Sequence, residues 1–509
     1  MKVKLLIFTS FLLLYLLLMG GHIYSPDEEL MFRTTQSLVE RQSLAIDPLP
    51  TTFGTRTGIN RNEYAQYGVG QPILAIPFYF AGKLAVDFLP DSAKEIFIIN
   101  TTQYHSQTND DYVLRFAVSL FNQFITALTC VALFSFLFLV TKDKKASVLV
   151  TVLYGLSTIA LVHSKTFFSE PLTTLLFLLT FWAIKKSTTT ELNRYLILAG
   201  ILSGYSILTR LDSIVSLPPL FIFLILEIYF SYKERIKRNP TFSELLDHYF
   251  NPVIFLKFLV FIIPIVLQIL LILFLNKLQY GSFLSTGYED QTEGIKFSNP
   301  LIDGLYGYLF SIGKGLFFFS PPLILYFASI KKFFKEYISE AISTSILIFI
   351  YLIFYSMWQN WDGGWCWGPR HIFIVHIFLA IPIVSFLKGK LSRTKEIIVS
   401  VLLVIGFAVQ IYGASQNFID FYIDYYRSHS IEISKIKGEK NFEEYRLYYY
   451  DTAPEISKYY AVYPFPAPLY HSLYVLYHSQ WIGYLDMIKR GKHDFFALHI
   501  INKFSKKIN

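Results

Sequence analysis

Blocks of apolar residues alternate with short polar loops along most of the chain. A helix needs roughly 20 mainly apolar residues to cross the hydrocarbon core of a bilayer, and the blocks approach that length. The pattern therefore predicts about eleven transmembrane helices. Their approximate bounds are 3–20, 112–140, 146–162, 171–184, 195–208, 213–230, 253–275, 315–330, 341–357, 371–387 and 397–414. We predict an all-α polytopic membrane protein, with a membrane domain over residues 1–414 and a small polar C-terminal tail over residues 415–509.

Basic residues are concentrated in every second loop. Lys142, Lys144 and Lys145 follow one predicted helix, and Lys388 and Lys390 follow another. Short loops rich in Lys and Arg remain in the cytoplasm, so the N-terminus is predicted to be cytoplasmic. The longer aromatic and acidic loops and the C-terminal tail are then extracytoplasmic. The first apolar run lacks a small-residue cleavage site, which favours an uncleaved helix over a signal peptide.

The first outer loop, about 21–111, contains two further helical patterns. Ser25 is a suitable N-cap for a helix that begins with a proline and acidic residues. The segment 71–89 is apolar but short, and it contains two prolines and a lysine. Counting it as a membrane span would move the basic cluster at 142–145 outside, against the charge rule. Both segments are therefore predicted to be interfacial helices.

Composition agrees with a membrane protein. Of the 509 residues, 53% are hydrophobic and only 16% are charged, with a mean hydropathy of +0.42, whereas soluble domains carry about 25% charged residues. The net charge of +8 comes mainly from the predicted inner loops, so it does not indicate a nucleic-acid partner. Cys130 in an apolar block and Cys366 in a polar loop are not expected to pair. The Phe-, Ile- and Lys-rich composition suits a bacterial cytoplasmic (inner) membrane.

Acidic residues mark two places on the predicted outer face. Asp27 and Glu28 directly follow the first span, and Glu170 precedes the fourth. The charge rule does not explain them, because acidic residues contribute little to membrane orientation. One interpretation is that they begin helices and complement the helix dipole. The other is that a carboxylate at this surface acts as a general base toward a hydroxyl group.

A divalent-metal site on the outer face is a further hypothesis. His163 with Glu170 or Asp27 has the ligand types that such an ion binds. One histidine is weak evidence for a metal, so the identity and presence of a cofactor stay unknown.

The loop 358–371 is the most unusual segment. It contains four of the six tryptophans of the chain, together with Asp362, a glycine pair and Arg370. An interfacial aromatic belt accounts for one or two tryptophans, but not for this combination. Aromatic faces such as that of Trp365 stack on sugar rings, and arginine binds phosphate through two N–H groups. Arg210 is a second arginine at a predicted outer helix end, where arginine is uncommon.

These outer motifs resemble the GT-C superfamily of membrane glycosyltransferases, in particular bacterial relatives of the protein O-mannosyltransferases and of the transferase that adds aminoarabinose to lipid A. The motifs lie within residues 1–220, and the topology covers the whole chain. The Trp-rich loop looks like one found in uncharacterised bacterial members. The shared features are the Asp27-Glu28 pair after the first span, interfacial helices in the first outer loop, the Tyr67-Gly68-x-Gly70-x-Pro72 stretch and Glu170 after the third span.

The resemblance implies a polyprenyl-phosphate-linked sugar donor and a hydroxyl acceptor on a glycan, a lipid or a protein, with membrane lipids around a GT-C-like catalytic domain. Asp27 would take the proton of the acceptor hydroxyl, which attacks the anomeric carbon in one inverting displacement. The leaving phosphate needs nearby cations. The full set of predicted site residues is Asp27 and Glu28 for catalysis, Arg370, Arg210, Lys165, Tyr67, Trp365 and Asp362 for the donor, and Glu170 and His163 for orienting the acceptor or a metal.

Other functions fit the same topology. A lipid-linked glycan ligase or polymerase would use similar chemistry with an oligosaccharide donor. A transporter or flippase would be expected to carry repeats, interrupted helices and charges near the middle of the bilayer, and the sequence shows no repeat and gathers its charges at one rim. If the protein were a non-catalytic envelope scaffold, the clustering of motifs in the outer loops would be a coincidence. The tail offers only an amphipathic helical pattern over 471–490, predicted to lie against the membrane.

Overall fold

The computed structural model describes residues 2–49, 53–99, 108–289, 297–425 and 472–508. Within these ranges the chain is mainly helical, as predicted. The longer helices are Lys2–Leu17, Pro26–Glu40, Gly70–Phe88, Asn109–Ser119, Phe121–Thr141, Lys144–Ser157, Glu170–Thr190, Arg194–Thr209, Leu217–Ile236, Phe242–Tyr249, Pro252–Tyr280, Leu301–Phe310, Leu325–Glu336, Ile338–Ser356, Phe373–Ala380, Arg393–Ala414, Gln480–Lys489 and Phe496–Ile508. Shorter α-helical segments are Asp91–Lys94, Ala160–His163, Leu316–Phe319 and Ile383–Leu387, and short 3-10 helices are Ile59–Arg61, Glu95–Phe97, Leu211–Ser216, Pro321–Ile324, Arg370–Ile372 and Leu476–His478.

Each predicted membrane span coincides with helical structure. Among the described residues, six helices are long and apolar enough by themselves to cross a membrane: Asn109–Thr141, Leu211–Ile236, Pro252–Tyr280, Ile338–Ser356, Arg370–Leu387 and Arg393–Ala414. The all-α membrane fold is thereby confirmed. The count of eleven spans is not confirmed, since helices such as Lys2–Leu17 and Lys144–Ser157 are shorter than a full bilayer crossing.

The span predicted over 315–330 is divided in the structure. Leu316–Phe319 ends just before Pro321, and Leu325–Glu336 begins after Pro322. Proline lacks the N–H group that a continuous helix would use, and its ring clashes with the preceding turn. The two consecutive prolines therefore interrupt this span, which the hydrophobic pattern alone does not show.

The helical segment Arg370–Leu387 lies at the centre of the bundle. Its apolar window is 83% buried within the protein, and its core part, Phe373–Ala380, packs against Glu170–Thr190 and Ile338–Ser356. By contrast, the apolar window of Pro252–Tyr280 is only 11% buried. A helix that is apolar on every side and covered by protein on one side has a surface suited to lipid contact.

The first outer loop forms the two helices that the sequence predicts. Ser25 caps Pro26–Glu40, since its hydroxyl accepts a hydrogen bond from the Glu28 N–H. Gly70–Phe88 packs against both this helix and Asn109–Ser119. Between them, a small antiparallel hairpin pairs Thr55 with Ala65, Arg56 with Tyr64 and Thr57 with Glu63.

Several of the predicted inner loops lie next to one another in the structure, and so do the predicted outer loops. At one end, the predicted inner loops meet: the Gly389 N–H lies 3.3 Å from the Asp143 carboxylate, and Lys388 lies 3.9 Å from Glu336. At the other end, described residues of the predicted outer loops line a common cavity.

The described part of the C-terminal tail packs back onto the membrane domain. The predicted helix over 471–490 is present as Gln480–Lys489, while residue 471 and most of the preceding tail lie outside the described residues. The Asp494 N–H donates to the Ser415 carbonyl at 2.8 Å, and the Phe496 N–H donates to the Met19 carbonyl at 2.9 Å. The end of the tail is thus joined to the ends of the first and last predicted spans.

Candidate functional site

A cavity of about 700 Å³ lies among the predicted outer loops. Its walls come from the first outer loop, from the hairpin that ends at Glu170, from 209–215, and from the loop 358–371. Its lining combines apolar side chains such as Phe297, Phe354 and Ile214 with charged side chains such as Asp27 and Arg370. A mostly apolar concave site with a few convergent polar groups is the usual form of a ligand site.

Asp27 lies at the first turn of Pro26–Glu40 and lines this cavity. Its carboxylate accepts a hydrogen bond from the Tyr67 hydroxyl at 2.9 Å and another from Arg370 Nη1, also at 2.9 Å. Ser25, as the N-cap, fixes the start of the helix. The acid is therefore held in one orientation by donors from two distant parts of the chain.

The glycine of the Tyr67-Gly68 motif has a packing reason. A Cβ atom on Gly68 would lie 2.4 Å from the carbonyl oxygen of Leu208 and 2.5 Å from that of Thr209. These distances are too short for any side chain, because backbone atoms cannot yield as a flexible side chain can. Gly68 thus lets the Tyr67 segment lie directly against the segment that carries Arg210.

Arg370 joins two carboxylates inside the cavity. Besides its bond to Asp27, its Nε lies 3.7 Å from Glu170 Oε1, and its guanidinium lies over the Phe168 ring, with Cζ 4.1 Å from the ring centroid. The Arg370 Nε and the Glu170 Oε2 are both buried without a hydrogen-bond partner. Buried polar atoms are normally bonded, and here the charge attraction between Arg370 and Glu170 offsets the missing hydrogen bonds.

Arg210 continues the same charged network. Its Nη1 lies 2.7 Å from Glu170 Oε1, its Nε lies 3.1 Å from Asp212 Oδ1, and its Nη2 lies 2.9 Å from the Tyr355 hydroxyl. Burial alone would lower the pKa of Arg210, but the charge of Asp212, the Tyr355 hydroxyl and the charge of Glu170 hold it well above its usual value. Acid and guanidinium groups therefore alternate from Asp27 to Asp212.

The Trp-rich loop is shaped by its glycines and by a buried lysine. Gly363, Gly364 and Gly368 have φ angles of +76°, +69° and +68°, a region that side chains disfavour. Asp362 does not line the cavity; its carboxylate accepts from the Gly364 N–H at 3.0 Å. Lys314, fully buried, donates to the carbonyls of Gly364 at 2.8 Å and Cys366 at 2.9 Å.

The structure brings six of the predicted site residues to the cavity wall. Trp365 is one of them, and its ring is stacked on Tyr422 with a centroid distance of 5.7 Å and an interplanar angle of 11°. This stacking fixes the aromatic plane at the cavity wall. The six residues are Asp27, Tyr67, Glu170, Arg210, Trp365 and Arg370.

Glu28 points away from the cavity, although it is the neighbour of Asp27. Its side chain is fully buried and accepts hydrogen bonds from the backbone N–H groups of Tyr24 and Phe167. Burial raises the pKa of the Glu28 carboxyl from 4.5 to about 8, because the charged form is disfavoured away from water. Glu28 therefore connects the start of the first outer helix with the hairpin that carries Glu170.

His163 and Lys165 also lie outside the cavity wall. The His163 Nε2 lies 2.9 Å from the Trp367 carbonyl oxygen. The Lys165 ammonium is buried and lies 2.5 Å from Asp494, in a separate cluster. The structure does not bring these two residues together with Asp27.

The described residues do not fit the predicted metal site. Among them, no group of three or more His, Cys, Asp or Glu side chains is placed to hold an ion. Arg370 already contacts both Asp27 and Glu170. Each of these carboxylates is thus balanced by a guanidinium, and His163 has a backbone partner instead.

The cavity also contains residues that were not assigned to the site from the sequence. Tyr288 lies against Tyr67, with ring centroids 6.5 Å apart, and burial raises its pKa above the usual value. Tyr355 bonds to Arg210 and Asp212 and stacks on His371 at 4.8 Å. Tyr355 lies in an apolar helix of a tyrosine-rich chain, where nothing distinguishes it from a structural tyrosine. For His371, its position next to Arg370 in the sequence is a signal that could have been used.

One family matches part of the chain. Residues 113–238 match the family described as dolichyl-phosphate-mannose-protein mannosyltransferase. This segment includes Glu170, Arg210 and Asp212 of the cavity. The match confirms the resemblance that the outer motifs predict. No curated protein sequence matches the chain.

Solved structures with a similar arrangement include ArnT from Cupriavidus metallidurans bound to undecaprenyl phosphate, with 12% identity over 80% of this chain and 62% of that one, and a TM-score of 0.46. The oligosaccharyltransferase of Archaeoglobus fulgidus in the apo form has 12% identity over 88% of this chain and 59% of that one, with a TM-score of 0.46. AglB from the same organism, in complex with an inhibitory peptide and a dolichol-phosphate, has 13% identity over 81% of this chain and 56% of that one, with a TM-score of 0.45. The chain spans less than two thirds of the length of these structures.

Proposed function

We propose that this chain of the GT-C superfamily transfers a sugar from a polyprenyl-phosphate-linked donor to a hydroxyl acceptor at the outer face of a bacterial cytoplasmic membrane. The observation that carries the proposal is the Asp27–Arg370 pair inside the cavity. A base and a phosphate-binding cation meet there at the end of the first span. The match over residues 113–238 supports the reaction class.

Asp27 is the general base of the proposed reaction. Its carboxylate takes the proton of the acceptor hydroxyl while the oxygen attacks the anomeric carbon of the donor. The bond between that carbon and the phosphate oxygen breaks in the same step, and its electron pair stays on the released polyprenyl phosphate. The attack inverts the anomeric configuration. Tyr67 and Arg370 hold Asp27 in place through its two oxygens.

Arg370 and Arg210 stabilise the leaving phosphate. Arg370 lines the cavity, and its guanidinium is the group proposed to contact a phosphate oxygen. Arg210 is held by Glu170 and Asp212 and adds positive charge nearby. A phosphate is a good leaving group when cations neutralise its developing charge, so no general acid is required.

Apolar side chains of the cavity and Trp365 support the remaining parts of the donor. Phe297 and Ile214, which line the cavity, keep 48% and 49% of their surface exposed. We assign these side chains to the start of the polyprenyl chain, because exposed apolar side chains at a cavity are suited to contact a lipid tail. Trp365 offers an aromatic face for the sugar ring. The acceptor is a glycan, a lipid or a protein.

The alternatives differ in ligand size and in the location of the charges. A glycan ligase or polymerase would use the same base with an oligosaccharide donor. A transporter or flippase would need its charged residues within the bundle, whereas Asp27, Glu170 and Arg370 lie at helix starts and Arg210 follows a helix end. Because these charged residues lie at one end of the helix bundle, the structure favours a transferase at a membrane surface over a transporter.

The decisive experiment compares envelope glycans and glycolipids by mass spectrometry in a strain that lacks the gene. The strain is complemented with the wild type, with Asp27→Asn or with Asp47→Asn at matched protein levels. Asp47 is a matched control, because it lies in the same loop with its side chain 81% exposed. We expect the deletion and Asp27→Asn to lack the same single sugar, and Asp47→Asn to restore it. Normal glycans with Asp27→Asn would overturn the proposal, and loss of a whole oligosaccharide would favour a ligase.

A further inference from the structure

A second group of polar side chains lies next to the cavity and takes no part in the proposed chemistry. Its centre is Asp494, whose carboxylate accepts from Lys165 Nζ at 2.5 Å and from the Tyr24 hydroxyl at 2.7 Å. The His22 Nε2 lies 2.8 Å from the other oxygen. All four residues are buried. Burial acts to raise the pKa of Asp494, but Lys165 and His22 hold it well below its usual range.

This group is connected to the start of the helix that carries Asp27. Tyr24 donates through its backbone N–H to Glu28 Oε2 at 3.1 Å, and its ring is stacked on Phe418 with centroids 5.1 Å apart. Ser25, the next residue, is the N-cap. Tyr24 therefore fixes the backbone that leads directly into Asp27.

Asp494 is itself fixed to the ends of two predicted spans. Its N–H donates to Ser415, and the N–H of Phe496 donates to Met19. Lys165 donates in addition to the carbonyl of Ala414 at 2.7 Å. The cluster thus joins the first span, the hairpin before Glu170 and the last span at one buried point.

We propose that Asp494 is a positioning residue that holds Asp27 in its reactive orientation through Tyr24. The inference rests on the proposed function. General-base catalysis requires the base to stay within hydrogen-bond reach of the proton that it accepts, and small misplacements of a reacting group are costly. The helix that carries Asp27 begins one residue after Ser25, so the bond from the Tyr24 hydroxyl to Asp494 restrains the backbone at its start.

The test separates positioning from folding by using Tyr24→Phe. This variant removes only the hydroxyl that binds Asp494 and leaves the Lys165–Asp494 ion pair intact. Tyr249→Phe is the matched control, because the Tyr249 hydroxyl donates to the Ile225 carbonyl at 2.9 Å and neither residue lines the cavity. The donor substrate in this assay is a polyprenyl-phosphate-linked sugar. Its sugar is the one that is missing from the glycans of the deletion strain. The rate of polyprenyl phosphate release gives kcat and KM. Thermal unfolding in detergent measures the folded fraction of each variant, so that both constants are expressed per folded enzyme.

We expect Tyr24→Phe and Asp494→Asn to lower kcat about tenfold or more while the KM of the donor changes about twofold or less, since only the base is displaced. Tyr249→Phe should keep the wild-type kcat. If Asp494→Asn fails to fold, Tyr24→Phe decides alone. A wild-type kcat for Tyr24→Phe, alongside an inactive Asp27→Asn, would overturn the positioning role and leave the proposed function intact. An active Asp27→Asn would overturn the proposed function itself.

Discussion

The Nη1 of Arg370 lies 2.9 Å from Oδ2 of Asp27, although the two residues are 343 positions apart in the chain. The same guanidinium lies 3.7 Å from Glu170. A planar group with N–H donors in a fixed arrangement can contact two carboxylates and still offer a donor to a phosphate. This geometry links the proposed base to the proposed binding site of the leaving group.

Arg370→Lys should lower kcat by about 10²–10³-fold, as the loss of an electrostatic donor typically does. Lysine keeps the charge, but it cannot contact Asp27, Glu170 and a phosphate at once. The rate of polyprenyl phosphate release measures the effect. Arg235→Lys is the control, since the Arg235–Glu191 pair is exposed on both sides and surface pairs contribute little. Equal rates for both variants would contradict the role of Arg370.

Glu28→Gln should change the dependence of stability on pH. Burial raises the pKa of this carboxyl from 4.5 to about 8, so the folded protein keeps it protonated where the unfolded chain loses the proton. The contribution of Glu28 to stability is therefore present below pH 4.5 and decreases as the pH rises to about 8, by about 1.4 kcal/mol for each pH unit.

The midpoint of thermal unfolding, measured between pH 5 and pH 9 in detergent, tests this expectation. The difference between Glu28→Gln and the wild type should increase in favour of the variant up to about pH 8 and then become constant. Glu63→Gln, on the hairpin in the same loop, serves as the control. A difference that does not depend on pH would show that Glu28 is charged in the folded protein.

Lys165→Met should reduce stability rather than donor binding. Removing this ammonium leaves Asp494 buried without its main cation, and breaking a buried ion pair costs about 3–5 kcal/mol. Thermal unfolding and the KM of the donor separate the two effects. Lys83→Met is the control, because the Lys83–Glu40 contact of 4.0 Å is on the surface. A large rise in KM without loss of stability would instead support the donor-binding role predicted from the sequence.

Trp365→Ala should raise the KM of the donor about tenfold, while Trp365→Phe should raise it much less. An aromatic contact of this kind contributes about 0.5–1.5 kcal/mol beyond its buried area, and phenylalanine keeps an aromatic face. Steady-state kinetics with the same donor measure both variants. Equal KM values for the two variants would show that the sugar does not stack on this side chain.

The sequence predicted the six cavity residues for identifiable reasons. Asp27 follows the first span directly, and the Trp-rich loop has more tryptophan than an interfacial belt needs. Glu28 was assigned to the same site because it is the neighbour of Asp27. Successive residues of a helix point about 100° apart, so the two side chains face different surroundings. Asp27 lines the cavity, whereas Glu28 is buried and bonds to the backbone of Phe167.

Lys165 and His163 show a different limit of the sequence. Both follow a predicted span, as a site residue at this surface would. Lys165 pairs with Asp494, which is 329 positions away, and His163 contacts the Trp367 carbonyl, 204 positions away. No periodicity or spacing connects such partners, because they depend on how the helices pack against each other.

The sequence by itself determined the helical membrane architecture, the helices of the first outer loop and the superfamily resemblance. These features depend on local patterns: the length of apolar blocks, the capping residue Ser25 and short motifs. Tertiary structure decided which charged groups contact each other at the cavity and which are buried away from it. Burial makes an unpaired charge costly, so a buried acid either meets a cation from a distant segment or, as Glu28 does, keeps its proton. The partner of Asp27 is Arg370 at the cavity, and the partner of Lys165 is Asp494 at the end of the chain.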